Sequence, residues 1–431
     1  MNPSDFAAAR GIADAVFYEG YLLYPYTATA PKNKLRWQFG VIVPVAHEAA
    51  GTGEHGHQQT DVLFESAGDP RIEVLFRFLQ VESRTVEART GETFAPVATL
   101  TVDGVHYFTF DESIEREVGA SFVPGGAPQA EFPICFEGDR QIELLRDAAG
   151  RLAGRIVRQR WPLAGRLCIA VRPLERAGMS EGVRVSRLRV RVENTSEVVP
   201  PPERGVVMRT AFVSAHTLIG IGPGAFWSPI DPPDPLLAAA AKSVNEHTWP
   251  VLVGDPKADD QRAALVLSSP IVLADFPQIA QNTRADAFDG TEIDELLNLS
   301  VLSLSDAERA EARATDPRAR AIVDRAEAFG AADVARTHAE FTPSAPRSIE
   351  IGGIPVAKGS SVRLVPKRRA DAWDMFLAGK LATVQAIHQD LEAKLYVAVT
   401  VDDDPATEYH QWYGRSFFFE PDEVEPVGAP G

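Results

Sequence analysis

The sequence predicts a mainly β protein with some helix (α+β), built as an antiparallel β-sandwich or barrel-like body, a helical connector and a small C-terminal β-barrel. Residues 18–275 consist mostly of runs that alternate with period two or are rich in β-branched and aromatic residues, separated by Gly, Pro and Asp turns. A charged, helical pattern begins near Asp286. Residues 350–427 then hold five short strand-like runs, which is typical of a small barrel.

These changes of pattern give the predicted domain limits. We expect a β-rich body at residues 1–280, with room for two subdomains, a helical connector at 281–341 and the small barrel at 350–427. Crossover helices are scarce in the body, so antiparallel strands are expected there rather than a parallel sheet. The Pro- and Ser-rich residues 342–347 are interpreted as a linker.

Several runs of the body are specific enough to assign. Strands are predicted at residues 34–43, 71–81, 154–160, 166–172 and 183–193, and short helices near the N-terminus and at 112–117 and 235–244. An aromatic group at the start of the body is expected to pack in the core, with a partner-facing ridge as the alternative. Its members are Tyr18, Tyr21, Tyr24, Tyr26, Trp37 and Phe39.

The run at 183–193 alternates Val or Leu with Arg, which indicates a half-buried strand with an arginine-lined outer face. The alternation slips once near Ser186, as a β-bulge would make it. The arginine face, formed by Arg184, Arg187, Arg189 and Arg191, is a candidate interaction surface.

The helical segment has clear start signals. Ser305 and Glu308 have the spacing of a capping box, and Pro317 restarts the helix with Thr315 or Asp316 as its N-cap. We expect this segment to connect the body to the barrel.

The C-terminal runs at 361–366, 379–388, 394–402, 416–420 and 423–427 resemble the strands of SH3-like barrels. The acidic run Asp402 to Asp404 is expected to shape a hairpin turn rather than to bind a cation. His410, Trp412 and Tyr413 are predicted to form an exposed aromatic patch that meets a peptide or protein partner.

Composition excludes several classes of function. The formal net charge of -17 opposes a general affinity for nucleic acid or for an anionic membrane face, which both need clustered Lys and Arg. No stretch approaches the roughly 20 apolar residues of a membrane span, and the N-terminus lacks the pattern of a secretion signal. We therefore expect a cytoplasmic protein without an integral membrane segment or a nucleic-acid partner.

Neither the two cysteines nor the known sequence motifs indicate a catalytic chemistry. Cys135 and Cys168 each lie in a strand-like run, where we expect them to be small buried hydrophobes. The nucleophile, phosphate-loop, zincin and Cys-x-x-Cys motifs do not occur in the sequence. The catalytic residues therefore stay unknown, and no organic cofactor is expected.

A Gly-rich loop holds the best candidate for a metal site. His47, His55 and His57 fall within eleven residues, together with Glu48 and Glu54. Neutral imidazole and carboxylate are ligands for zinc, nickel or iron, so the loop allows a transition-metal ion. The alternative is an ordinary solvated loop whose histidines are merely exposed.

Six segments are similar to a family of bacterial proteins of unassigned function. They are residues 17–44, 268–280, 289–308, 314–325, 368–384 and 401–415. Members of that family tend to be encoded beside uptake nickel-iron hydrogenases and their maturation proteins. The resemblance runs over nearly the whole chain, implies this context and carries over no catalytic residue.

Three functions remain in competition. The first is a non-catalytic accessory or assembly protein that acts through protein-protein contacts, with hydrogenase subunits or maturation factors as the partners that the resemblance implies. The second is a metal-dependent enzyme with a site around His47, His55 and His57. The third is a structural component of a larger assembly.

Overall fold

Two compact units, Met1–Ala328 and Phe329–Gly431, make up the chain in the computed structural model. The residues that the structure describes are 6–34, 36–125, 127–174, 183–197, 204–254, 261–278, 297, 300–328, 348–365, 377, 379–389, 395–402 and 417–427. Both predicted ends of the helical connector, residues 281 and 341, lie outside these ranges, so its limits stay a prediction.

Strands dominate the first unit. They are β1 (His57–Ser66), β2 (Arg71–Thr90), β3 (Thr93–Val97), β4 (Thr99–Val102), β5 (Val105–Phe108), β6 (Phe110–Phe122), β7 (Gln129–Phe136), β8 (Asp139–Arg146), β9 (Leu152–Arg160), β10 (Leu163–Pro173), β11 (Arg184–Asn194), β12 (Val213–Gly222), β13 (Ala225–Trp227), β14 (Trp249–Val253), β15 (Arg262–Ala263) and β16 (Leu265–Ser269). The helices of this unit are α1 (Ala7–Phe17), α2 (Val45–Glu48), α3 (Arg204–Met208), α4 (Leu237–Ala240), α5 (Asp306–Thr315) and α6 (Pro317–Glu327).

Two antiparallel sheets of the first unit share one core. The first has the strand order β15-β13-β1-β11-β10-β7, and the second has the order β14-β16-β12-β2-β9-β8, with β3 and β6 also paired to the long strand β2. Phe64 of β1 and Leu188 of β11 lie in one buried cluster with Phe76 of β2 and Ile219 of β12. Alternation puts the apolar side chains of each strand on its inner face. The prediction of a mainly β, antiparallel body is confirmed.

Strand β11 corrects one expectation. It pairs with β1 and β10 without a register shift, so the β-bulge expected near Ser186 is not there. Ser186 shares the inner face with Leu188, whereas Val185 lies on the arginine face. Val185 is nevertheless buried, because it packs with Trp227 and Leu236. The break in alternation marks a covered patch on the outer face rather than an inserted residue.

Residues 112–117 correct a second expectation, because they form part of strand β6 and not a helix. β6 pairs with β2 from Phe110 to Phe122. Ion pairs between side chains of the two strands support this pairing, with Arg84 Nη1 at 2.6 Å from Glu112 Oε1 and Arg77 Nε at 2.9 Å from Glu117 Oε1. Long-range strand pairing outweighs a local helical preference here.

The predicted cysteine burial is wrong for Cys135. This residue is exposed on β7, and Cys168 is half-buried on β10. The strands themselves are as predicted. Alternation explains the difference, because Ile134 occupies the inner face and its neighbour Cys135 therefore points outward.

The helices α5 and α6 begin at the predicted caps. Ser305 and Glu308 form a capping box, and Asp316 is the N-cap of α6, where its Oδ1 accepts a hydrogen bond of 2.7 Å from the Arg318 amide.

In the described ranges, no helix combines the length and the apolar character that a helical membrane crossing requires.

Four of the six aromatic residues pack in the core, as expected, whereas Tyr24 and Phe39 are only half-buried. Tyr18, Tyr21, Tyr26 and Trp37 are buried in a cluster that also contains residues of α5 and α6. The Tyr21 hydroxyl donates a hydrogen bond of 2.9 Å to Oδ2 of Asp316, the N-cap of α6. The helical segment is therefore fixed against the start of the body.

The second unit contains a curled antiparallel half-barrel. Its strands are β17 (Ser348–Ile351), β18 (Ile354–Ala357), β19 (Ser361–Leu364), β20 (Leu381–Gln389), β21 (Leu395–Val401), β22 (Phe417–Phe419) and β23 (Val424–Pro426). Five of them follow the order β22-β21-β20-β19-β23 around a core that includes Val362, Val384 and Val399. The five predicted C-terminal strands are confirmed in position and order along the chain.

Candidate functional site

An open cleft of about 910 Å³ lies in the first unit. Residues 38–42, the loop after α2, the first residue of α3 and the start of β14 contribute to it. The polar and aromatic side chains of its lining are Gln38, Phe39, His47, Glu54, His55, Gln58, Arg204, His247 and Trp249. We call it the histidine cleft, because it contains His47 and His55 and lies beside His57.

The Gly-rich loop packs against α2 at its C-terminal end, whereas residues 49–53 and His55 are exposed. Gly53 has a φ of +79°, in the left-handed region that favours glycine. A Cβ on Gly56 would lie 2.8 Å from the Val45 side chain, so this position packs directly against α2. The Val43 amide also donates a hydrogen bond of 2.9 Å to the His55 carbonyl. The loop therefore fixes the positions of Glu54 and His55.

Glu54 is held from two sides. Its Oε2 lies 3.0 Å from His47 Nε2, and its Oε1 accepts a hydrogen bond of 3.0 Å from Arg204 Nε. Arg204 also donates to the Trp37 carbonyl at 3.3 Å. Because a carboxylate needs a donor, this geometry assigns the proton of His47 to Nε2. The result is a chain of three side chains along the cleft wall.

A second chain of the same kind lies beside the cleft. His57 Nε2 lies 3.1 Å from Glu246 Oε2, which also accepts from Arg191 Nη1 at 3.2 Å. His57 Nδ1 is 3.8 Å from Glu48 Oε1. Glu246 is thus positioned by His57 and Arg191, so its charge is ordered before anything binds.

His55 and His247 stack face to face. Their ring centroids are 3.4 Å apart with an interplanar angle of 13°, and His57 meets His247 edge-on at 5.4 Å. Burial lowers the pKa of His247, and the neighbouring imidazoles His55 and His57 lower it further, because a second positive charge there is unfavourable. His247 also has a φ of +61°, a strained backbone conformation for a residue other than glycine.

Gln58 supplies an unused acceptor. Its side-chain nitrogen donates a hydrogen bond of 2.9 Å to Thr217 Oγ1, and the residue is 2% exposed. The side-chain oxygen is buried and accepts no hydrogen bond from the residues that the structure describes. A buried acceptor without a donor costs about 1–3 kcal/mol of stability.

The three predicted metal ligands come close together but do not converge. His47 is paired with Glu54, His57 is paired with Glu246, and His55 is stacked on another imidazole. Within the described ranges, no group of three or more His, Cys, Asp or Glu side chains is arranged to hold a metal ion. The metal site stays a prediction, which a binding measurement has to test.

Sequence reasoning missed half of this site. Gln58 lies one residue beyond the predicted histidines, but Arg204, His247 and Trp249 lie more than 140 residues further along the chain. The signal that could have pointed to His247 is its place between Glu246 and Trp249, in a short polar stretch before a strand. Nothing in the sequence connects Arg204 with Glu54.

The arginine face of β11 is largely engaged within the protein. Arg189 is paired with Asp61, Arg191 with Glu193 and Glu246, and Arg187 Nη2 donates 2.6 Å to the Ala239 carbonyl. Arg184 is the most exposed, at 63% of its side chain, and contacts Asp69 at 3.4 Å. As an interaction surface the arginine set stays a prediction, but without the bulge Arg184 lies on the opposite face from Arg187, Arg189 and Arg191.

The aromatic patch of the C-terminal unit lies outside the described residues. This applies to His410, Trp412 and Tyr413, and to Asp403 and Asp404 of the acidic turn. Asp402 is described and accepts a hydrogen bond of 2.8 Å from Thr383 Oγ1 across the hairpin. Its role in the turn is compatible with the prediction.

In comparisons with known proteins, no family model matches this chain and no curated protein is significantly similar to it.

Proposed function

We propose that this protein is a non-catalytic accessory or assembly protein that holds a protein partner at the histidine cleft. The observation that carries the proposal is Trp249, an exposed aromatic side chain on the lining of the cleft. The same lining holds the carboxylate of Glu54, which His47 and Arg204 fix in place. An exposed ring together with an ordered carboxylate makes the open depression a candidate binding site.

Rigid surroundings support a binding role. Glu54 is fixed by His47 and Arg204, and Glu246 by His57 and Arg191. Side chains that are already ordered lose little entropy when a partner arrives, so their contacts contribute more to affinity.

An exposed tryptophan gives the cleft an anchor. Trp249 lines the cleft and is 46% exposed. Tryptophan is enriched among the residues that dominate the energy of protein interfaces, because it buries a large area with few rotatable bonds. A partner segment lying in the cleft would cover this ring.

The family resemblance supplies the identity of the proposed partner. It points to subunits of a nickel-iron hydrogenase or to its maturation factors, in the cytoplasm. This part of the proposal rests on the resemblance alone and not on the geometry of the cleft.

Affinity purification from the native host tests the proposal. The tagged full chain is compared with Trp249→Ser and with the control Ile142→Ser, a residue on β8 that is 48% exposed. We expect a hydrogenase subunit or maturation factor with the wild type and the control, and its loss with Trp249→Ser. Equal capture by all three baits, or no partner at all, would contradict the proposal.

A metal-dependent enzyme is the second candidate, favoured by the four imidazoles of His47, His55, His57 and His247 in and beside one cleft. Metal analysis of the purified protein and of the triple variant His47→Ala, His55→Ala and His57→Ala separates the two candidates. Stoichiometric metal that is lost in the triple variant would favour the enzyme. Negligible metal in both would end that hypothesis.

A further inference from the structure

Glu54 is the carboxylate in the lining of the histidine cleft. Each of its oxygens keeps a lone pair beyond the single bond that His47 or Arg204 makes to it. Arg204, the positive residue of the lining, is bound to Glu54 at 3.0 Å. A cationic group that donates hydrogen bonds therefore complements Glu54.

Aromatic faces in the lining favour a positive charge. Trp249 and Phe39 both line the cleft. A cation within about 6 Å of a ring centroid is stabilised by the electrons of the ring, and tryptophan is the best of the three aromatic partners. The chain uses the same contact internally, since the Arg36 guanidinium lies 4.2 Å from the Trp37 ring and 3.7 Å from the Phe110 ring.

The net charge of the whole molecule also favours a cationic ligand. The formal net charge of -17 attracts a basic group over a distance and repels an acidic one. Beside the cleft, Glu48 and Glu246 add two further carboxylates.

We propose that the histidine cleft binds the cationic side chain of a lysine or arginine presented by the partner protein. The ammonium or guanidinium donates to Glu54 and lies against Trp249. This inference rests on the proposed function, because it names the chemistry of the partner at that same cleft. No covalent step is involved.

Substitution of Arg204 tests the inference through an expected gain of affinity, which a misfolded variant would not show. Arg204 competes with an incoming cation for Glu54, because both are positive and both donate to that carboxylate. Arg204→Met removes the competitor, so a cationic ligand should bind more tightly, by about fivefold, an effect of about 1 kcal/mol. Glu54→Gln removes the negative charge and should weaken binding by a similar factor.

Calorimetric titration of the full chain provides the measurement. The probes are N-acetyl-lysine amide and N-acetyl-arginine amide, with N-acetyl-norleucine amide and N-acetyl-glutamate amide as uncharged and acidic controls, and putrescine as a free amine. We expect the two basic probes to bind with a Kd on the order of 1 mM, weakened by salt, and the norleucine and glutamate probes not to bind. Trp249→Ser should weaken the basic probes about fivefold, and the exposed control Ile142→Ser on β8 should not.

The outcomes separate the inference from the proposed function. The cationic inference is overturned if the norleucine probe binds as tightly as the lysine probe. It is also overturned if Arg204→Met binds the basic probes more weakly than the wild type does, or if putrescine binds and neither basic probe does. If a partner is still captured through Trp249 while no basic probe binds, the cationic inference fails and the accessory function stands. If the basic probes bind but no partner is captured, the accessory function fails instead.

Discussion

Arg189 donates two hydrogen bonds of 2.7 Å to Asp61, a carboxylate whose residue is 0% exposed. Asp61 also accepts a bond of 3.0 Å from the Val244 amide, and its own amide donates 2.7 Å to Asn245 Oδ1. Asp61 therefore ties the outer face of β1 and β11 to the segment that leads into Glu246 and His247. The position of the histidine cleft depends on this pair.

Asp61→Asn should destabilise the protein. An amide cannot accept both guanidinium bonds and the Val244 amide equally well, and Arg189 loses its charge partner. We expect a loss of about 2 kcal/mol in the free energy of unfolding, less than for a fully buried pair because the Arg189 side chain is 37% exposed. Urea unfolding followed by circular dichroism gives this value.

Arg184→Gln is the matched control for that change. Arg184 lies on the same strand but, by alternation, on the opposite face; it is 63% exposed and its contact with Asp69 is 3.4 Å long. We expect a change within about 0.5 kcal/mol. Equal losses in the two variants would mean that the Asp61 pair has no special role.

Two buried glutamines should differ in their response to substitution by methionine. Gln58 makes one side-chain bond, to Thr217, and its oxygen lacks a donor from the described residues. Gln80 uses both ends, donating 2.9 Å to the Trp161 carbonyl and accepting 2.8 Å from Arg116. We expect Gln58→Met to change the stability by less than about 1 kcal/mol and Gln80→Met to lower it by about 2 kcal/mol.

Thermal and urea unfolding of both variants, under the same buffer conditions, provide the comparison. A loss for Gln58→Met as large as for Gln80→Met would show that the Gln58 oxygen is satisfied in the free protein.

His216 should make the protein less stable in acid. It is completely buried, its Nδ1 donates 2.7 Å to the Ser214 carbonyl, and burial lowers its pKa to about 4. Because the folded pKa lies below the unfolded value of about 6.5, the unfolded chain takes up a proton first as the pH falls. The stability is fully present above pH 6.5, and on the order of 3 kcal/mol is lost between pH 6.5 and pH 4.

Urea unfolding at pH 7 and pH 4.5 checks this, with His216→Gln as the comparison. The variant should be less stable at pH 7 and should lose less on acidification than the wild type. If both proteins lose the same stability between the two pH values, His216 is not the group that titrates.

The stacked pair should be visible in a titration of His247. After burial, the nearby imidazole of His55 is the largest cause that lowers the pKa of His247. His55→Phe keeps a stacked ring but removes the second charge, so we expect the pKa of His247 to rise. His106→Phe, on the separate hairpin of β4 and β5, should leave it unchanged.

Proton-nitrogen NMR of the histidine side chains follows these pKa values directly. A pKa of His247 that is unchanged in His55→Phe would contradict the stacked arrangement. The same spectra assign the ring proton of His47, which the geometry places on Nε2.

The sequence predicts the C-terminal strands and the caps of α5 and α6 well, because the causes of these features are local. The capping box of Ser305 and Glu308 needs only four residues, and the alternation of residues 394–402 needs only one strand. The helix predicted at residues 112–117 is wrong for the opposite reason, because the partners of this segment, Arg77 and Arg84, lie on another strand.

Only half of the residues that line the histidine cleft could be predicted from the sequence, for the same reason. The loop from His47 to His57 is local, and its histidines could be picked out from the sequence. Arg204 and His247 reach the cleft only through the pairing of the two sheets and the positive φ of His247, which no short pattern encodes. The covered patch around Val185 likewise depends on residues of α4 and β13.

The affinity of the captured partner for the purified protein tests the central claim most directly. Its Kd is measured for the wild type, for Trp249→Ser and for Ile142→Ser by calorimetry or surface binding. We predict that Trp249→Ser weakens binding by about tenfold or more and that Ile142→Ser changes it by less than about twofold. Equal affinity of the wild type and Trp249→Ser would contradict the claim that the histidine cleft is where the partner binds.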